Sequence, residues 1–376
     1  MRQLRFVQRE HGFSRFIALK KVDVVPEMMR TIRKLQPAPG AELVMLPIPE
    51  PGPREVLVKV KATSVCGTDY HIYSWDPWSQ NRVKPPLTVG HEVAGEVVAL
   101  GRDVTACKVG DAVSAETHII CNNCPRCHVG EYHLCENTRI LGVDTNGCFA
   151  EYVVVPEQNI WINDKDIPWE IQSIQEPLGN AMHTAMEGDL TAQSVLITGC
   201  GPIGIMSVPV AKHAGAEIVI AMDVNDYRID MAKQLGADVV INPMREDPIE
   251  VVRSYTRGYG VDVVMEMSGN PTAIRQSLKA ARNGARISML GLPSKPMEFD
   301  LGADVIMRGL VLKGITGRKM WKTWYQSRSM LRAGLGERLK PLITHVMPLE
   351  GVHDAMELMG AGKCGKVVLK PEMPAK

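Results

Sequence analysis

Charge of one sign is missing from this chain. Lys and Arg number 43 against 42 Asp and Glu, a formal net charge of +1 over 376 residues. So even a balance offers nucleic acid or an anionic membrane surface no electrostatic handle, and neither is expected as a partner. Long hydrophobic runs are missing as well, since no apolar stretch has the length a bilayer requires. Internal repeats and low-complexity segments are also absent. No secretory signal pattern precedes the cysteines, and their number, nine, is odd. Both features argue against a disulfide scaffold and for a reducing compartment, so a cytoplasmic location is expected. What remains is the composition of an ordinary globular protein, long enough for two domains with substantial cores.

Residues 1–27 stand apart. Arg2, Arg5, Arg9, Arg15, Lys20 and Lys21 outnumber Glu10, Asp23 and Glu27. A mitochondrial targeting segment would be poorer in acids. The stretch reads as a disordered N-terminal extension, or as the region ahead of a start at Met28-Met29. From about residue 30 to 155, alternating runs such as Val56-Leu57-Val58-Lys59-Val60 sit between Gly and Pro clusters and predict a β-rich domain. From 179 to 317, short apolar runs alternate with helical stretches. The runs are Val195-Leu196-Ile197, Ile218-Val219-Ile220, Val239-Val240-Ile241, 261–265, 286–290 and Leu310-Val311-Leu312. Continuous apolar strands separated by helices predict a parallel sheet covered on both faces, hence an α/β fold. A helix containing Trp321, Trp324, Tyr325 and Leu331 follows. The Gly- and Pro-punctuated tail is expected to rejoin the first domain.

Cys121, Cys124, Cys127 and Cys135 are spaced C-x2-C-x2-C-x7-C. Four thiolates so placed suit a closed tetrahedral zinc site, which braces a lobe and leaves no position for chemistry. Three lie within seven residues, so little chain entropy is lost on assembly. A four-cysteine iron–sulfur cluster uses the same ligands and is the competing reading. Spacing and context favour zinc.

Gly199-Cys200-Gly201-Pro202-Ile203-Gly204 is a G-x-G-x-x-G that follows the run 194–198 and opens a helix towards His213. That is the context a dinucleotide loop needs. Gly199 permits the tight turn, Gly201 lets the backbone approach a pyrophosphate, and Gly204 allows close helix–strand packing. Pro202 costs nothing in the first turn, where no N–H is needed. Asp223, after 218–222, would accept hydrogen bonds from a ribose 2′-OH and repel a 2′-phosphate, which predicts NAD over NADP. Arg228 pulls the other way, towards a phosphate, or lies against the adenine. The bland reading of the glycines is a structural turn.

Cys66-Gly67-Thr68-Asp69-Tyr70-His71 and Gly90-His91-Glu92 form a second set of ligand types. Cys66, His91 and a carboxylate would supply three protein ligands of a catalytic zinc with one position open. An ion there favours the alkoxide form of an alcohol and hence hydride departure from carbon. A lone buried Cys or His more often just packs. Beside a closed cysteine site and a dinucleotide fold, that simpler reading loses.

Gly90-His91-Glu92-x2-Gly95-x5-Gly101 resembles the signature of the zinc-dependent medium-chain alcohol dehydrogenases, and the cysteine lobe and glycine loop follow in that family's order. The resemblance covers about residues 30–370. It implies a GroES-like catalytic domain over 28–178 and 318–376, and a Rossmann NAD-binding domain over 179–317. It implies NAD, one catalytic and one structural Zn2+ per chain, and self-association as a homotetramer or, next, a dimer. Cys66, His91 and Glu92 match the catalytic zinc ligands. Glu176 matches a carboxylate beside that zinc, an exchanging ligand or part of proton transfer. Thr68 and His71 match the relay that carries the substrate proton outward, and His118 matches a position near the metal. Ile203, Asp223, Arg228, Leu290-Gly291-Leu292 and Ile315-Thr316 match the lining of the NAD site. Thr316 stands where some relatives carry an aromatic residue.

The stretches 66–80, 175–181, 314–318 and 321–325 are similar to the branch of the family that oxidises L-threonine. They hold Trp75, Trp78, Trp321 and Trp324, expected to line or support the active-site mouth. A polyol or secondary-alcohol dehydrogenase is the alternative, since Glu176-Pro177-Leu178 also suits polyol relatives. A non-catalytic nucleotide-sensing scaffold is the third reading, but it would have lost Cys66, His91 and Glu92.

Overall fold

The computed structural model describes residues 26–374 apart from residue 294. The expectations for 1–27 therefore fall outside the described residues, Pro26 and Glu27 excepted. Among the described residues no helix is long and apolar enough to cross a membrane.

The strand Glu55–Ser64 is the spine of a seven-stranded sheet. Val56, Val58, Val60 and Ala62 are all buried, as alternate positions on a covered face should be. It pairs antiparallel with Glu92–Leu100, with Tyr152–Pro156 and, at its end, with Lys366–Lys370. The C-terminal tail thus returns to this sheet. In the first of these pairings Ser64 lies opposite Glu92. That register carries Cys66, two residues beyond Ser64, towards His91, and it is what assembles the metal-type cluster.

The second sheet has six strands, all parallel. Their spatial order is Val239–Ile241, Ile218–Met222, Ser194–Thr198, Val261–Glu266, Ala281–Met289 and Val311–Gly314. Helix Pro202–His213 follows the third of these, and its inner face is buried from Gly204 to Ala211. The strand expected at 286–290 begins earlier, at Ala281, because Ala281 already pairs with Val261 ahead of an irregularity that leaves 282–285 unpaired before the ladder resumes at Arg286.

Trp321 was expected inside a helix. It sits just before one, at φ 51°, and the helix runs Lys322–Met330. Burial of Arg318 and Met320 fixes the chain ahead of it, and stacking of Trp321 on Trp161, 6.1 Å apart and 17° between planes, holds the turn.

Candidate active site

Among the described residues, two groups of ligand-type side chains converge, with all ligand atoms in each within 4.8 Å of one another. One is Cys66, His91 and Glu92. Cys66 caps the N-terminus of helix Gly67–Ser74, where Asp69 Oδ2 accepts from the Cys66 backbone N–H at 2.9 Å. The other oxygen of Asp69 lies 3.4 Å from His91 Nδ1, an ion-pair distance that sets a carboxylate against that side of the ring. Glu92 is fully buried. Its Oε2 accepts from the Lys366 ammonium and the Ser64 hydroxyl, while Oε1 has no partner. Burial drives the Glu92 carboxyl above its ordinary value, against the pull of Lys366.

Glu176 is not in this group. Its Oε1 accepts from Arg318 Nη1 at 2.6 Å and from Thr117 Oγ1 at 3.0 Å. Arg318 is itself buried and donates from Nε to Glu116 Oε2 at 2.7 Å. Trp324 Nε1 donates to the same oxygen at 2.8 Å. Burial opposes the Glu116 charge, yet Arg318 and then His118 hold its carboxyl at about 2. His118 is half-buried, its backbone N–H on Glu116 Oε1 at 2.9 Å, its ring against Gly317. Three expected ligands are together, and the fourth is claimed by a guanidinium.

Thr68 Oγ1 lies 3.9 Å from Cys66 Sγ. His71, three residues on, is on the open side, its side chain 56% exposed and its Nδ1 2.7 Å from Asp76 Oδ2. The tryptophans divide. Trp78 is exposed beside His71, Trp75 lies under the buried Lys34 ammonium, and Trp324 is core.

The glycine loop behaves as its spacing implies. Gly199 has φ +86°, and Gly204 comes so close to Gly199 that a Cβ would lie 1.9 Å from its carbonyl oxygen. A Cβ on Gly201 would meet nothing within 4 Å, so that face of the loop is open. Asp223 is buried at the strand end, accepting from Cys200 N at 2.7 Å and Asn225 N at 2.8 Å. A cavity of about 300 Å³ opens beside it, lined by Gly199, Asp223, Met244, Ser268, Asn270 and Gln276. Pro202, Ile203 and Arg228 are half-buried around the helix starts. Arg228 Nε has no partner. Leu290 and Gly291 hang from the Glu266 carbonyl, Leu292 is 91% exposed, Ile315 is buried and Thr316 exposed.

The other converging group is Cys121, Cys124, Cys127 and Cys135. Cys121 and Cys135 Sγ are 3.5 Å apart, and all nine cysteines are free. Backbone N–H bonding from Asn123 holds the Cys121 thiol down at about 6, favouring the ligand form.

Residues 52–164 match the alcohol dehydrogenase GroES-like domain, and residues 202–333 match the zinc-binding dehydrogenase domain. An L-threonine 3-dehydrogenase of Symbiobacterium thermophilum is 76% identical over 93% of this chain and 99% of its own. The chain belongs to the zinc-dependent medium-chain dehydrogenases. A zinc-binding dehydrogenase of Sinorhizobium meliloti, solved with NADP, has a TM-score of 0.84 at 29% identity, covering 92% of this chain and 100% of its own. The 2R,3R-butanediol dehydrogenase of Bacillus subtilis has a TM-score of 0.83 at 26% identity, with the same two coverages.

As a zinc-dependent medium-chain dehydrogenase, the chain is an oxidoreductase that works with NAD and zinc. The donor sets fit. A half-buried thiol, a buried imidazole and a buried, unsatisfied carboxylate oxygen suit an open zinc site, and four thiols suit a closed one. Sequence reasoning missed the residues that hold these in place: Asp69, Lys366, Glu116 and Arg318 around the metal ligands, and Ser268 and Asn270 in the cleft. Only Asp69 carried a local signal, its spacing of three from the capping residue.

Proposed function

We propose that this dehydrogenase oxidises the β-hydroxyl of L-threonine with NAD, giving 2-amino-3-oxobutanoate, NADH and a proton. The observation that carries the reading is the meeting of Cys66, His91 and Glu92, with Glu92 Oε1 buried and unpartnered. The choice of threonine is supported by the 76% identity to a relative bearing that name, against 26% to the butanediol enzyme.

When bound, zinc would supply Lewis acidity at the substrate hydroxyl and NAD a hydride acceptor. Cys66, His91 and Glu92 would hold the metal. Asp69 fixes the His91 ring, and Lys366 with Ser64 hold one Glu92 oxygen so that the other faces the site. Thr68 takes the hydroxyl proton and passes it to His71, which releases it to solvent. Glu176 stays paired with Arg318 and acts as a charge beside the site rather than as a ligand. The loop 199–204 would hold the pyrophosphate at the helix start, and Asp223 the ribose, where its charge would disfavour a 2′-phosphate. The catalytic lobe is 28–178 with 318–376, and the NAD lobe is 179–317.

We also place the enzyme in the cytoplasm as a homotetramer. Free thiols suit a reducing compartment. The strand Val311–Gly314 leaves a sheet edge open, with Val311, Ile306 and Met307 exposed nearby, a surface that pairing with a second copy would cover. Light scattering reads the assembly, and a monomer at micromolar concentration would refute it.

The decisive assay is NADH formation from L-threonine, sorbitol and 2,3-butanediol, with and without chelator. Threonine turnover lost on chelation is the expected result. Turnover of sorbitol but not threonine would move the substrate to the polyols, and turnover of none would leave only the scaffold reading.

A further inference from the structure

Resting on the reading of His71 as the proton exit, we propose that Asp76 is its positioning residue. It keeps the His71 proton on Nδ1 and leaves Nε2 as the atom that receives the substrate's proton.

His71 is mostly in solvent, where an imidazole ring would otherwise rotate and exchange tautomers. Which nitrogen carries the proton is set by the hydrogen bond the other makes. Here Nδ1 is 2.7 Å from Asp76 Oδ2. A carboxylate accepts, so Nδ1 donates. Asp76 is itself fixed, because its Oδ1 accepts from Ser79 N at 2.9 Å as the N-cap of helix Pro77–Arg82. Burial works against its charge, but the Ser79 N–H and His71 hold the carboxyl below its ordinary value.

The backbone is shaped to bring the two together. Trp75 adopts φ 59°, ψ 46°, a left-handed conformation that bulky residues avoid, and its N–H bonds back to the His71 carbonyl at 3.0 Å. This reversal returns Asp76 to a ring five positions earlier. The Lys34 ammonium holds this turn from the face of the Trp75 ring. It lies 4.8 Å over the Trp75 ring and donates to the Gly40 carbonyl at 2.8 Å and the Tyr73 carbonyl at 3.4 Å. Trp78 closes the far side, its ring centre 6.3 Å from that of His71. A strained turn, a buried cation and a helix cap all converge on one exposed histidine. During the reaction one proton enters at Nε2 and one leaves from Nε2. The Nδ1–H bond stays on Asp76, whose charge offsets the transient imidazolium.

The test uses the full-length, zinc-loaded enzyme with D76N, H71A and the double variant. Asn is as good an N-cap as Asp, so D76N keeps the helix start and the melting temperature. The expected result is a kcat loss of roughly ten-fold or more in D76N, with KM within about two-fold. In the H71A background D76N should cost nothing further. A wild-type rate in D76N beside a slow H71A would overturn the role of Asp76 and leave the relay standing. A wild-type rate in H71A would overturn the relay itself, and independent losses in the double variant would show that Asp76 acts elsewhere. Histidine 15N spectra give an arm that needs no substrate. The His71 proton is expected on Nδ1 in the wild type and on Nε2 in D76A, and an unchanged tautomer in D76A would also overturn the proposal.

Discussion

Arg318 is a guanidinium with about 1% of its surface exposed, set between two carboxylates that are themselves buried. Its partners lie 142 and 202 positions away in sequence. Nothing local announces such a trio, which is why the sequence could single out Glu176 as a candidate carboxylate but not the guanidinium that pairs with it. Removing the cation leaves two buried acids without compensation, which costs about 3–5 kcal/mol. Arg318→Met should therefore lose that much at pH 7 in a denaturant titration. The pH dependence has a definite sign. Glu116 is depressed from an ordinary 4.5 to about 2, so its contribution is complete above the unfolded value and fades as pH falls from about 4.5 towards 2. The gap between wild type and variant should shrink over that window. A gap of constant size down to pH 3 would mean that Arg318 does not hold the Glu116 charge.

The glycine loop and its flanking elements were the most legible part of the chain, because their constraints are local. A turn that needs φ +86° at Gly199 and close approach at Gly204 writes glycine at fixed offsets. The helix after it was legible from start to end, Pro202 to His213. The helix after Trp321 was legible too, and Trp321 alone falls outside it, because its conformation is imposed from outside, by Trp161 and by the burial of Arg318. Two glycines of the loop now make contrasting forecasts. Gly204→Ala would push a methyl group into the Gly199 carbonyl, a backbone group that cannot swing aside as a side chain could. It should lower the melting temperature by several degrees, consistent with about 1–3 kcal/mol of overpacking, and weaken NADH binding. Gly201→Ala meets nothing in the protein, so the melting temperature should hold within about one degree while the NADH dissociation constant rises roughly ten-fold or more. Fluorescence titration of NADH beside calorimetry separates the two. If Gly201→Ala bound NADH normally, the open face of the loop would not be where the pyrophosphate lies.

At the scale of the whole molecule, the cysteine lobe is more than a local staple. Met320 and Ile120 pack directly on the four thiols, joining the lobe to the segment that leaves the parallel sheet. One residue earlier Lys319 pairs with Glu187 at 2.6 Å, and His133 of the lobe meets His183 edge-on at 5.3 Å. The spacing of the cysteines made the site itself readable, but not the place where the lobe docks, which depends on residues some two hundred positions away. The two metal sites should therefore fail differently. Cys127→Ser should lose about one zinc per chain by elemental analysis and lower the melting temperature by roughly 5 °C or more, because metal binding there is folding energy. Cys66→Ser should also lose about one zinc, yet keep its melting temperature within about 2 °C, since Asp69, Lys366 and Ser64 still brace the pocket, and lose threonine turnover by roughly a thousand-fold or more. If Cys66→Ser destabilised the fold as much as Cys127→Ser, the open site would be a brace as well. The division between a lobe that holds shape and a site that meets substrate would then be wrong.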